Sequence, residues 1–324
     1  MSHAIKIYQT GSPETMCFEE VTVARPGPGE VRIRHTAIGV NFIDVYFRNG
    51  LYPQPLPGLL GKEAAGVVEA VGSGVTDLKV GDRVAYCNGP LGAYSEERVI
   101  AAEFVVRLPE EVADADAAAA MLKGLTVQYL FRQTYRLREG EMFLFHAAAG
   151  GVGLIACQWA KAIGARMIGT VGSDDKAALA KAYGCEHVIN YRKENFVKRV
   201  KELTDGKGVN VVYDSVGHDT FPASLDCLKP RGLWVSFGNS SGPVPPFEIG
   251  MLSQKGSLFA TRPTLFSYAD TRPALLAMSE ELFALMREDK IRTVPRHRFA
   301  LKDAVSAHRL LESRGTSGAT VLIP

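Results

Sequence analysis

Residues 142–153 read Met-Phe-Leu-Phe-His-Ala-Ala-Ala-Gly-Gly-Val-Gly, near the middle of a chain of 324 residues. An apolar run ends in a turn of small residues, and an amphipathic segment follows at 154–163. The order is strand, tight turn and helix N-terminus. In that context backbone N–H groups and the partial positive charge of the helix can receive a dinucleotide pyrophosphate. The spacing is Ala148-x-Gly150-x-x-Gly153, with alanine at the first glycine position. The central location adds weight to a short pattern, because about 140 residues must form something else before it.

C-terminal to this turn, strands and helices alternate. Strands are expected at 142–146, 166–171, 187–190, 209–214, 233–237 and 257–261, and helices at 151–163, 176–183, 195–204, 220–228 and 248–254. That rhythm builds a parallel, doubly wound sheet. N-terminal to it, short β segments (4–8, 18–23, 30–40, 64–71, 83–86) are separated by Gly/Pro turns, and 113–135 turns helical. This part reads as an irregular, mostly antiparallel β domain. After Arg262-Pro263 the pattern reverts, with helices at 273–287 and 301–312 and an apolar terminal strand at 319–323 that is expected to return to the first domain.

A chain of this length fits two domains. Hydrophobic residues make up 46% and charged residues 22%, a soluble globular composition. The net charge of +2 supplies no bulk attraction to nucleic acid or anionic membrane, and no apolar run is long enough to span a bilayer. The five cysteines are scattered and include no C-x-x-C pair, which argues against a disulfide framework or a zinc site of the usual spacing and suits a cytoplasmic protein.

The strand ends carry the candidate cofactor contacts, since open α/β sheets bind ligands there. The second strand ends Gly169-Thr-Val-Gly172-Ser173, with no carboxylate to hold a ribose 2′-hydroxyl. Ser173, Lys176 and Tyr191 instead suit a 2′-phosphate, so NADPH is expected over NADH. The plainer alternative makes Ser173 an N-cap and Lys176 a solvated charge. Asp174 and Asp175 count against a phosphate unless they face away. The later strand ends read Asp214-Ser215-Val216-Gly217 and Phe237-Gly238-Asn239-Ser240-Ser241-Gly242, where glycines permit close approach and hydroxyls and amides can bond ribose, phosphate and carboxamide; ordinary turn chemistry is the alternative.

Several segments together resemble the zinc-free quinone oxidoreductase branch, zeta-crystallins included, of the medium-chain dehydrogenase/reductase superfamily. They are Val40-Asn-Phe-Ile-Asp44, Tyr46-x5-Tyr52, Pro57-x3-Gly61-x-Glu63-x2-Gly66-Val-Val68, Gly81-Asp-Arg-Val84, Ala93-Tyr94-x-Glu96, Gly124-Leu-Thr126, Ala147–Gly153 and Tyr213-Asp-Ser-Val-Gly217. Val235–Gly242 and Leu310-Leu-Glu-Ser-Arg314 look like bacterial NADPH:quinone reductases. The resemblance covers essentially the whole chain. It implies a GroES-like β domain over 1–123, with 265–324 returning to it, and an NADPH-binding Rossmann domain over 124–264. It also implies a homodimer paired through the apolar edge strand at 257–261.

Against the zinc alcohol dehydrogenases, Asn41 stands where the first thiolate would be and Lys62 where the histidine ligand would be. The stretch 87–94 is too short for a four-cysteine lobe, so no metal is expected. Lys62 either replaces the metal's charge or pairs with a carboxylate such as Asp44. Hydride transfer to an electron-poor quinone then depends on positioning. Tyr46 and Tyr52 are candidates to orient the substrate or supply a proton, and Asn41, Lys62, Thr126 and Tyr129 to frame nicotinamide and oxygen. The cofactor set is completed by Ala149, Gly150, Gly151, Val152, Gly172, Thr261, Arg262 and Arg314. An enone or enoyl reductase is the alternative enzyme. A non-enzymatic NADPH- or RNA-binding protein is the alternative class, and no basic-aromatic RNA platform is visible.

Overall fold

A computed structural model describes residues 2–324. The chain divides into two compact units, one of residues up to 125 together with Ala269–Pro324, the other Thr126–Tyr268.

The second unit is built on a six-stranded sheet in the order His187–Asn190, Arg166–Val171, Met142–Phe145, Val209–Asp214, Leu228–Ser236, Phe259–Thr261. Every neighbouring pair is parallel. The strand order reverses beside Met142–Phe145, which is the switch point where such sheets bind ligands. Alternation within that strand serves two faces. Leu144 joins Ile168, Ile189, Val212 and Trp234 in one core. Phe143 and Phe145 pack with Phe131 and Tyr213 on the other, with ring centroids 5.2–6.3 Å apart.

The first unit holds two sheets. Ser2–Ile7 lies between Met16–Val21 and Gly58–Leu59 in a small antiparallel one. The larger one runs His297–Ala300, Thr320–Ile323, Glu30–Val40, Glu63–Val71, Arg83–Tyr86, Val106–Arg107, with Glu97–Ala101 also paired to Glu30–Val40. The terminal strand Thr320–Ile323 pairs antiparallel with Ile38–Val40. Its other neighbour, His297–Ala300, is parallel, which makes the sheet mixed. Ile33, Ile38, Val68, Val84, Tyr94 and Leu322 form the core of this unit.

The structure corrects several expected elements. The segment Phe42–Asn49 is a helix that apolar periodicity missed; its boundaries are nevertheless written in Asn41 as N-cap and Gly50 at φ 86°. The helix expected at 220–228 shrinks to Ala223–Asp226, because Thr220 is drawn to the Asp214 carboxylate and Leu228 opens the next strand. The helix expected at 113–135 is Asp114–Tyr129, followed by a wider π turn, Leu130–Thr134. The helix expected from 176 starts at Asp174, since Ser173 caps it. The short strands Gly58–Leu59, Glu97–Ala101, Val106–Arg107 and His297–Ala300 were not anticipated. Among the described residues no helix is long and apolar enough to cross a membrane.

Candidate functional site

The turn after Met142–Phe145 is shaped by steric necessity. A Cβ on Gly153 would lie 2.5 Å from the Ala148 carbonyl oxygen and nearer still to that of Ala147. Real side chains do not tolerate such contacts, so Gly153 lets the helix Gly151–Ile163 start directly on the turn. Alanine at the first glycine position is accommodated from the neighbouring strand: Gly169 leaves room for the Ala148 methyl, which a Cβ there would meet at 2.5 Å. Ala147 carries the positive φ of 56°. Ala149 is buried, Gly150 is the helix N-cap, and Gly151 and Val152 form the first helical turn. The N–H groups of that first turn have no partner within the helix, so the cradle suits a pyrophosphate.

At the next strand end, Ser173 is the N-cap of Asp174–Ala182 and its Oγ accepts from the Lys176 N–H at 3.3 Å. The plainer reading of Ser173 therefore holds structurally, but a capping hydroxyl still has its own hydrogen to donate. Tyr191 brings its hydroxyl over Gly172, where a Cβ would meet Oη at 2.6 Å. Asp174 does not oppose an anion here, because it is engaged by Lys193 and by Asn190 Nδ2 at 2.9 Å. Burial and the charge of Arg192 push the Lys176 ammonium below its ordinary pKa. Two cations that repel each other beside a hydroxyl-bearing turn fit a phosphate dianion, which would relieve both. Arg192 went unnoticed in the sequence, although it directly follows Tyr191.

The fourth and fifth strand ends are tied to one another. Asp214 is buried and accepts from Val216 N, Gly217 N, Thr220 Oγ1, Ser224 Oγ and Trp234 Nε1 at 2.8–3.3 Å. Burial drives its carboxyl upward, but His146 and these donors outweigh burial and hold it below the ordinary value. Asp214 is thus an anchor for the loop. Ser240 N and Ser241 N donate to the carbonyls of Ser215 and Val216, and a Cβ on Gly238 would lie 2.6 Å from Ser215 O. Phe237 packs on Phe145, with centroids 5.6 Å apart. Arg262 Nη1 donates to Ser236 O at 2.9 Å, and the Asn239 amide, oriented to satisfy both its ends, accepts from Arg262 Nη2 and donates to Gly238 O. Thr261 ends the edge strand. Thr126 and Tyr129 are buried on one helix, and Tyr129 stacks on Tyr268 at 4.7 Å, a partner that sequence reasoning missed.

The first unit gathers a different set. Buried Glu63 accepts from Asn41 Nδ2 at 2.9 Å, Lys123 Nζ at 3.1 Å and Leu122 N at 2.7 Å. From the sequence Glu63 stood only as part of the Gly61-x-Glu63 motif, with no role, and Lys123, a helical lysine, reads as ordinary. Lys62 Nζ donates to Gly89 O at 2.6 Å and lies 5.7 Å from the centre of the Phe47 ring. Burial pushes its pKa down, and Asp44 pulls it back up. Tyr46 and Tyr52 meet edge to face at 5.2 Å, and Phe47 packs on Tyr52. Arg314 follows the helix Ala304–Glu312 in this unit, as Asn41 is in this unit, while the remaining cofactor candidates are in the other. Among the described residues no group of three or more His, Cys, Asp or Glu side chains could hold a metal ion.

A β unit of this topology joined to a parallel 3-2-1-4-5-6 sheet defines a dehydrogenase/reductase of the medium-chain type. Residues 27–110 match the alcohol dehydrogenase GroES-like domain and 151–279 the family described as zinc-binding dehydrogenase. The chain is 59% identical to a quinone oxidoreductase of Pseudomonas aeruginosa, with both chains covered completely. It is 46% identical to a 2-haloacrylate reductase of a Burkholderia species over 100% of this chain and 99% of that protein. The crystal structure of Escherichia coli quinone oxidoreductase complexed with NADPH superposes with a TM-score of 0.98 at 54% identity, covering 99% of this chain and 100% of the other. The chain belongs to the quinone oxidoreductase family.

Proposed function

We propose that this protein reduces quinones with NADPH, without zinc. The observation that carries the reading is the strand-end cluster of Ser173, Lys176, Tyr191 and Arg192 beside the Gly150–Gly153 turn, a phosphate-shaped pair of sites on one sheet. NADPH, when bound, supplies the hydride. The turn N–H groups hold the pyrophosphate, the cluster holds the 2′-phosphate, and the 215–216 and 237–241 loops with Thr261 and Arg262 hold the remainder. Thr126 and Tyr129 frame the nicotinamide. Lys62 faces the quinone oxygen, and Tyr46 and Tyr52 orient the ring. The test is steady-state NADPH oxidation with a panel of quinones and enones, with and without a chelator. Quinones should turn over and the chelator should have no effect; turnover of enones alone would overturn the reading. The enone alternative is kept in the panel because of the 46% identity to a 2-haloacrylate reductase.

Cofactor preference follows from the cluster. Lys176→Ala should weaken NADPH binding by about 10-fold, roughly 1.4 kcal/mol, and leave NADH nearly unchanged. Fluorescence titration of both cofactors decides it, and equal losses would remove Lys176 from the phosphate site.

Tyr52→Phe deletes one hydroxyl and little volume. If that hydroxyl orients a quinone oxygen, kcat/KM should fall by roughly 10-fold or less, since a neutral hydrogen bond contributes about 0.5–1.5 kcal/mol. A loss of about 100-fold or more would make Tyr52 the proton donor instead. Unchanged kinetics in Tyr46→Phe, Tyr52→Phe and the double variant would take both residues out of the site.

The homodimer is part of the same proposal. Phe259, on the edge strand Phe259–Thr261, is 61% exposed, an apolar edge of the kind that pairs with another chain. Light scattering at micromolar concentration should give twice the chain mass; a monomer mass would count against the pairing.

A further inference from the structure

Asp44 has no assigned part in the scheme above, yet it is fully buried in the first unit at the end of a directed hydrogen-bond chain. Glu312, partly open to solvent, grips the buried Arg48 guanidinium with both oxygens. Arg48 Nη1 lies 3.2 Å from His308 Nδ1. Arginine can only donate, so Nδ1 accepts. Burial, reinforced by Arg48, pushes the His308 pKa down to about 3, so the ring is neutral and its hydrogen is on Nε2. That hydrogen points at Tyr94 Oη, 3.0 Å away, and Tyr94 in turn donates to Asp44 Oδ2 at 3.0 Å. Asn41 N donates to the same oxygen at 2.9 Å. Arg48 does not give up protons, so the chain orients and does not conduct.

The two oxygens of Asp44 are therefore unequal. Oδ2 is taken by two donors, while Oδ1 is buried and has no hydrogen-bond partner. A proton on this carboxyl belongs on Oδ1. Burial raises its pKa to about 7, against the opposing pull of Asn41 N, Tyr94 and Lys123 and with a smaller push from Glu63. The charged group it acts on is Lys62, whose Nζ lies over the ring of Phe47, one turn further along the helix Phe42–Asn49 from Asp44; burial and Arg98 disfavour its ammonium, and Asp44 and Cys87 favour it.

We propose that Asp44 is a positioning residue for the proton step of quinone reduction, switching Lys62 between a weaker and a stronger acid. The proposal rests on the reading of Lys62 given above. Hydride addition to a quinone leaves a hydroquinone monoanion. A Lys62 N–H bond breaks, an O–H bond forms on that oxygen, and the amine left behind regains a proton from water after product release. With Asp44 neutral, Lys62 loses the attraction that stabilises its ammonium and donates more readily. With Asp44 ionised it holds its proton. Glu63 and Lys123 face Asp44 from the neighbouring strand and helix as a matched pair, and Arg48 is matched by Glu312, so Asp44 is the group in this cluster placed to change charge.

Two measurements test this. Infrared spectra of the protein without cofactor should show a carboxyl C=O band that titrates near neutral pH and is missing in Asp44→Asn. Tyr94→Phe, which removes a donor to the carboxylate, should move that titration to higher pH and keeps the test open if Asp44→Asn does not fold. In wild type kcat should fall roughly 10-fold as pH rises through the same titration. Asp44→Asn, locked neutral, should flatten the profile to within about 2-fold, and Tyr94→Phe should shift it upward. Absence of an Asp44 band titrating between about pH 5 and 9, or a pH profile identical in Asp44→Asn, overturns the proposal. Wild type inert toward every quinone while the band still titrates would instead sink the functional reading, and with it the role in the proton step.

Discussion

Glu63→Gln should destabilise the first unit by about 3–5 kcal/mol. The substitution keeps the shape of the side chain and leaves an amide oxygen for Asn41 or Leu122, so the change is mainly one of charge. Glu63 is inaccessible and the Lys123 side chain is 5% exposed, so neither ion has water to fall back on. Removing the carboxylate leaves a buried ammonium with its desolvation cost and without its counter-charge. Urea unfolding followed by probes in each unit separates this loss from any effect on the sheet of Thr126–Tyr268. The double variant Glu63→Leu with Lys123→Met should recover most of the stability, because it removes both ions together. A loss below about 1 kcal/mol, the range of exposed pairs, would show that Glu63 and Lys123 are not the buried pair the structure describes. The same carboxylate also holds Asn41, so quinone turnover should fall beyond what the lost stability explains.

Gly153→Ala should weaken NADPH binding by about 100-fold or more, roughly 2.7 kcal/mol. The added methyl would press on two backbone carbonyl oxygens, those of Ala147 and Ala148, which have no rotamer to escape into. Ala147 already occupies the left-handed region, and Ala148 is packed against Gly169 and Cys157 Sγ. The turn must open, and the N–H groups that receive the pyrophosphate move with it. NADPH fluorescence titration reads the effect, and far-UV circular dichroism confirms that the sheet is retained. A folded variant that binds NADPH within about 3-fold of wild type would detach this turn from the cofactor site.

Much of the fold was legible because its signals are local. The central strand, the small-residue turn and the helix behind it are contiguous, and each following strand of the parallel sheet is a short apolar run punctuated by a turn. The candidate cofactor contacts could be chosen for the same reason: a parallel sheet places all its strand ends on one side, so reading each strand's last residues collects them. The gaps also have causes. Glu97–Ala101 and His297–Ala300 are half-exposed strands whose alternation is weak, and their pairing is decided by the long strand Glu30–Val40 and by the chain terminus. The helix Phe42–Asn49 is rich in aromatic and β-branched residues, so periodicity and propensity argued against it while its caps argued for it.

The chain by itself determined the two-part order, the parallel sheet, the glycine turn and the absence of a carboxylate from the end of the second parallel strand at Gly169–Ser173, since each depends on residues adjacent in sequence. Only the tertiary structure decided what the isolated charges do. Glu63 meets Lys123 60 positions away, and Arg48 meets Glu312 264 positions away. Asp214 becomes an anchor rather than a ligand because five donors from the following loop, the short helix Ala223–Asp226 and the neighbouring strand converge on it. Burial sets the worth of each of these charges, and burial is a property of the packed chain that no stretch of sequence carries.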